Sequence, residues 1–367
     1  MAEVVVPTAE LVATWQEFGE EQLNVQLLLD RPLAQAVPLA AEALGDAVAG
    51  LDDDVISSGE VLVFPRGPVV NLGYCDEQEV LETWLTALAA VLGARGLAGR
   101  LEPFTWDDIP EWLVDEPGVV PTLALTVSPD PRYEAGGPPG WHGEPAATQG
   151  LLDVLVPWCL DGAEPGSVSL ANGVLVQRCD PDALREVVGL ALAGQAYADV
   201  NLTNGTSADR FRLFRASATG LVTVATGGGP GRAVVRLEEL LRRLAPFVES
   251  GLLRPAVVGA RWYEVVAPDV HVGGPALLPG RLPARELKRM RGLLAGQVAD
   301  AYGVQLLTDA HLAHVRDLSG WDVEEVAPGR HLVRSREADA WFAPAGPADD
   351  VLERARDDFG DALLTGP

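Results

Sequence analysis

Apolar residues along the chain recur at two spacings, and the switches between them outline the elements. Leu11, Trp15 and Phe18 follow Thr8 at helical spacing and predict a helix over residues 8–20. Residues 23–30, LNVQLLLD, read as a strand. PLAQAVPLAAEALGDAVAG returns to helical spacing, with a kink or break expected at Pro38. Residues 60–64 and 69–72 flank Pro65-Arg66-Gly67-Pro68 and predict a hairpin. Asp76 followed by Glu79 resembles a capping box, opening a helix that carries Val80, Trp84, Leu85, Leu88 and Val91 on one side. Residues 99–104 supply a closing strand.

The order is therefore strand, helix, strand, strand, helix, strand, which is the ferredoxin-like βαββαβ plan. From Ser167 a similar order recurs. A strand pair forms around Asn172-Gly173, and a helix starts at Asp180-Pro181. Strands follow at 198–202, 211–214 and 221–225, then a strongly amphipathic helix over 232–249 and a strand within 254–266. The fold class expected is α+β, with two ferredoxin-like pseudo-repeats and a small C-terminal α+β module. The expected boundaries are 1–105 for the first half, with its N-terminal helix, and 166–266 for the second. Between them, 106–165 is rich in Pro, Gly and Trp and reads as a linker or arm with one strand and one helix. A linker over 267–283 leads to the C-terminal module, 284–367.

Charge narrows the functional classes. Fifty-three acids face 27 bases, a formal charge of -26, and Lys288 is the sole lysine. A field of that sign repels phosphate backbones, so nucleic acid is not an expected partner. It suits another protein, of basic character. No apolar run reaches the ~18 residues of a membrane helix, so no membrane partner is expected. The N-terminus is acidic by residue 10 and lacks the basic start of a signal peptide. Cys75, Cys159 and Cys179 have no CxxC spacing and fit thiols in a reducing compartment. The expected location is the cytoplasm.

Candidate chemistry is sparse. The turn TGGGPG joins a predicted strand to a predicted helix, where free helix N–H groups can meet an anion. Gly227, Gly228, Gly229, Gly231 and Arg232 would form such a phosphate or acyl-CoA site, although Pro230 removes one donor and no P-loop lysine follows. His311 and His314, three residues apart, could share a helix face as part of a metal site beside Asp309 and Asp317. Arg210, Arg212 and Arg236 belong to a local basic cluster that would either dock an acidic ligand or pair with neighbouring carboxylates. Cys179, just before a helix, is a candidate activated thiol. No G-x-S-x-G frame occurs. The leading expectation is a non-enzymatic acidic protein-binding protein with no cofactor: an adaptor, a secretion-type chaperone or an immunity-type neutraliser. The alternatives are a transferase-like enzyme using the glycine turn and a metal-dependent hydrolase using His311 and His314.

Overall fold

The computed structural model describes residues 3–17, 23–49, 56–107, 119–126, 145–173, 175–194, 199–207, 209–217, 221–249, 259–264, 296–298, 300–342 and 347–363. It is a mixed α+β protein. The chain divides into two units, one of Met1–Asp108 with Leu170–Val200, the other of Ile109–Ser169 with Asn201–Pro367.

The first unit begins with β1 (Val4–Val5), α1 (Thr8–Glu17), β2 (Leu23–Leu29) and α2 (Leu33–Val48). The hairpin β3 (Ile56–Phe64) and β4 (Gly67–Cys75) follows, then α3 (Gln78–Ala94) and β5 (Gly99–Pro103). The strand order is β1-β5-β2-β4-β3. β2 runs antiparallel to both β4 and β5, β3 runs antiparallel to β4, and β1 joins β5 in parallel. One face of β2 sends Leu23, Val25 and Leu27 into a core with Trp15 of α1, Ala40 and Leu44 of α2, and Trp84, Leu85 and Leu88 of α3. Alternation along a strand and the three-to-four spacing along a helix place these residues on facing surfaces.

Two local readings change. Pro38 lies inside α2, which continues through it to Val48. The N-cap of α3 is Glu77, with no side-chain cap bond, and the Asp76 carboxylate instead accepts from Tyr74 Oη at 3.0 Å. Gly67 has φ 152°, and a Cβ there would stand 2.2 Å from the Leu27 carbonyl oxygen. That approach of two backbones requires glycine.

The same unit takes back a later stretch. β7 (Val168–Asn172) and β8 (Leu175–Arg178) turn at Gly173, φ 60°, and lead to α5 (Leu184–Gly194). Asp180 accepts from Asp182 N–H at 3.1 Å and caps a short 3-10 turn before α5, as the Asp-Pro pair predicted. Asn172 donates to the Val63 carbonyl at 3.3 Å, and Arg178 N–H donates to Asp107 at 2.6 Å.

The second unit contains β6 (Val119–Thr126), α4 (Pro145–Leu160), β9 (Asp199–Ser207, from Asn201 onward), β10 (Arg210–Ser217), β11 (Leu221–Thr226), α6 (Pro230–Glu249) and β12 (Gly259–Glu264). Then come β13 (Val304–Thr308), α7 (Asp309–Leu312), β14 (Trp321–Ala327), β15 (Arg330–Ser335), α8 (Ala338–Trp341) and α9 (Asp349–Phe359). The strands run β14-β15-β13-β12-β6-β11-β10-β9. β6 lies antiparallel between β11 and β12, so the segment read as an arm supplies an interior strand of this sheet.

Here β9, β10, β11 and β12 follow in chain order with β6 inserted between the last two, unlike the β5-β2-β4-β3 order of the first unit, so the two segments do not repeat one winding. The expected linker at 267–283 lies outside the described residues. α6 packs on α4, β6, β13, β14 and β15, burying Leu237, Leu240, Leu241 and Leu244. Trp321, Trp341 and Phe359 gather the C-terminal elements, with ring centroids 6.2 and 5.0 Å from Trp321.

Candidate functional sites

The glycine turn is built by β11 running into α6. Thr226 is fully buried, and its Oγ1 lies 3.2 Å from both the Phe211 and Gly227 carbonyls. Gly227 N–H donates to Phe211 O at 3.0 Å, which commits that donor to the sheet end. Gly228 and Gly229 take φ 106° and 81°, conformations that a side chain rarely adopts. Ala233 N–H then donates to Gly229 O at 3.1 Å, so the helix begins at Pro230, where a missing N–H costs nothing. Arg236 Nη1 donates to Thr226 Oγ1 at 3.4 Å, and Arg232 and Gly231 are exposed. The turn thus brings together Gly227, Gly228, Gly229 and Arg236, with Arg232 at its rim.

The arginine set separates. Arg212 lies over the Trp158 ring, 5.2 Å from its centroid, and donates to the Trp158 carbonyl and to Asp161 Oδ2, the latter at 2.6 Å. It fastens β10 to the C-terminal end of α4. Arg210 is exposed at the start of β10. Arg242 holds both oxygens of Glu324, at 3.3 and 2.8 Å, and Arg334 reaches the buried Glu238 at 2.9 Å. These charges join α6 to β14 and β15. The arginine bond holds the Glu324 carboxyl below the usual carboxylate range.

The two histidines end in different surroundings. α7 stops at Leu312, so His314 lies beyond the helix and is exposed. His311 is buried, its Nδ1 2.7 Å from Thr308 Oγ1. His331 Nε2 lies 2.6 Å from Asp309 Oδ1. The register of β13 on β15, Leu307 opposite His331, creates that pairing, and no local sequence pattern announces it. Among the described residues, no group of three or more His, Cys, Asp or Glu is placed to hold a metal ion.

Burial pushes the Cys159 and Cys179 thiols up to about 12, and burial also raises Cys75. Any helix N-terminal effect at Cys179 is therefore outweighed. A thiol with so little thiolate near neutral pH is a poor nucleophile.

No family model matches the chain, and no curated protein matches it. Among solved structures it is similar to a Pseudomonas aeruginosa T6SS protein, at 12% identity and a TM-score of 0.35, over 59% of this chain and 68% of that one. Likeness at that level selects no function. No helix among the described residues is long and apolar enough to cross a membrane.

Proposed function

We propose that this chain is a non-enzymatic, strongly anionic protein-binding protein whose partner is a basic protein. Adaptor, secretion-type chaperone and immunity-type neutraliser are the roles of that class. The formal charge of -26 carries the reading. Part of the positive charge is held in ion pairs. Arg95, Arg212, Arg242, Arg334, Arg336, Arg354 and Arg356 each already face a carboxylate of their own unit. The remaining carboxylates give a long-range field that speeds encounter with cations and turns polyanions away. On the same reading the β5-β2-β4-β3 sheet with α2 and α3 is ferredoxin-like, a scaffold that by itself selects no chemistry.

Affinity purification from the native source, with mass spectrometry of what co-elutes, tests the role. The expected result is a basic protein held in stoichiometric amount and released by salt. The reading fails if no protein is retained.

A second reading places a phosphate or acyl-CoA group on the turn Gly227–Arg232. The positive φ of Gly228 and Gly229 and the half-buried Arg236 beside them favour it. Its test is thermal: inorganic phosphate or coenzyme A should raise the melting temperature, and Arg236→Met should abolish the rise. No shift with either compound would remove it.

A further inference from the structure

The sheet of the second unit ends, among the described residues, at β14, with no strand beyond it in the order. Asp322, Val323, Glu324 and Glu325 are all exposed, although Glu324 meets Arg242 of α6. A free edge presents unpaired backbone donors and acceptors, and such edges are guarded by charge or filled by another strand. Here the guard is selective. Two copies aligned along β14 would set Asp322, Glu324 and Glu325 of one against the same carboxylates of the other, between bodies of charge -26. Self-pairing is disfavoured twice over. A neutral strand adds no countercharge to this acidic edge, whereas a basic strand does.

The chain's own arginines hold the carboxylates in place from the flanks: Arg336 Nε meets Asp322 Oδ1 at 2.9 Å, and Arg242 meets Glu324 at 2.8 Å. Arg336 and Asp322 are 59% and 49% exposed, and exposed pairs contribute under about 1 kcal/mol, so an incoming cation competes with or shares them readily. Glu325 accepts the Gly329 N–H at 3.0 Å, and Val323 is 42% exposed beside it.

We infer that the outer edge of β14 receives an extended segment of a basic partner protein, alternating Lys or Arg with apolar residues, as an added strand. This rests on the anionic-binder reading above and gives that partner a docking place. In added strands the backbone ladder supplies affinity, and alternate side chains supply specificity. Facing Asp322 and Glu324 on one side and Val323 and Glu325 on the other, the edge fits a basic and apolar alternation.

The probe is a fluorescein-labelled peptide of alternating lysine and valine, titrated into the full chain by fluorescence anisotropy. Two further versions are N-methylated at one or the other alternate set of residues, which removes ladder donors and keeps the charge. The plain peptide should bind and slow hydrogen exchange at residues 321–327. The version with methyl groups facing β14 should bind about tenfold more weakly. Glu325→Lys, an exposed substitution checked by circular dichroism, should weaken the plain peptide similarly. If all three peptides bind alike, or the protected segment lies elsewhere, charge alone makes the contact. The edge proposal then falls while the anionic reading stands. If no peptide binds, the edge proposal falls, and the co-purification experiment decides the broader reading independently. A concentration-dependent dimer protected at 321–327 would replace the partner with a second copy and also overturn it.

Discussion

Two ion pairs in the second unit have similar geometry and opposite surroundings, and substituting them separates burial from distance. Arg356 grips Asp300 at 2.9 and 2.7 Å, with Asp300 side-chain exposure at 5% and Arg356 at 20%. Arg354 meets Glu337 at 3.0 Å, but both are more than half exposed. The Asp300 carboxylate also accepts Ala301 N–H at 2.9 Å, so it closes the segment before β13 onto α9. Val298 N–H to Ala362 O at 2.7 Å fastens the same joint.

Removing one partner of a buried pair strands the other and costs roughly 3–5 kcal/mol. Asp300→Ala should fall at the low end, about 3 kcal/mol, because the part-exposed guanidinium can turn to water. Arg356→Met should cost about 4 kcal/mol, because Asp300 has no such route. The double variant Asp300→Ala with Arg356→Met should cost less than the sum, with a coupling of about 2 kcal/mol. Glu337→Ala should cost under about 1 kcal/mol. The chain forms two units, so a single global transition is not assured, and the assay is native-state hydrogen exchange at α9 amides. Equal losses for Glu337→Ala and Asp300→Ala, or a coupling near zero, would refute the reasoning.

Gly67→Ala should destabilise the first unit by at least about 2 kcal/mol, since the new Cβ meets backbone that no rotamer change can clear. Gly45→Ala, where nothing lies within 4 Å, should be neutral or stabilising, and urea unfolding of both variants checks the contrast. Glu324 titrates below the ordinary glutamate range because Arg242 donates to it. Its folded value lies below its unfolded one, so it contributes stability above the unfolded value, and that contribution fades as pH falls through the folded value. Carboxylate NMR should find the titration restored to the ordinary range in Arg242→Met, and an unmoved titration would show that the bond is not its cause.

What the sequence made legible was set by local chemistry. The hairpin at Pro65-Arg66 and the turn at Asn172-Gly173 carry their own geometry: Gly173 takes φ 60°, as such dipeptides require. The amphipathic period of α6 and the single-sided core of α3 were likewise readable. Failures fell where distant segments meet. PTLALTVS reads as a lone strand in a proline-rich arm, yet β6 pairs with β11 and β12, elements about a hundred residues later. Nothing within its eight residues selects those neighbours, because strand pairing depends on which edges remain open elsewhere.

The same limit governed the candidate sites. His311 and His314 satisfied a helical spacing, but α7 ends after four residues and parts them. Asp309 and His331, far apart in sequence, are brought together by strand register. The arginine cluster followed from the pattern, whereas its partners came from topology. Arg212 found Trp158 on α4 and Asp161 just beyond it, and Arg242 found Glu324 on β14. Both arginines thus join a helix to the sheet.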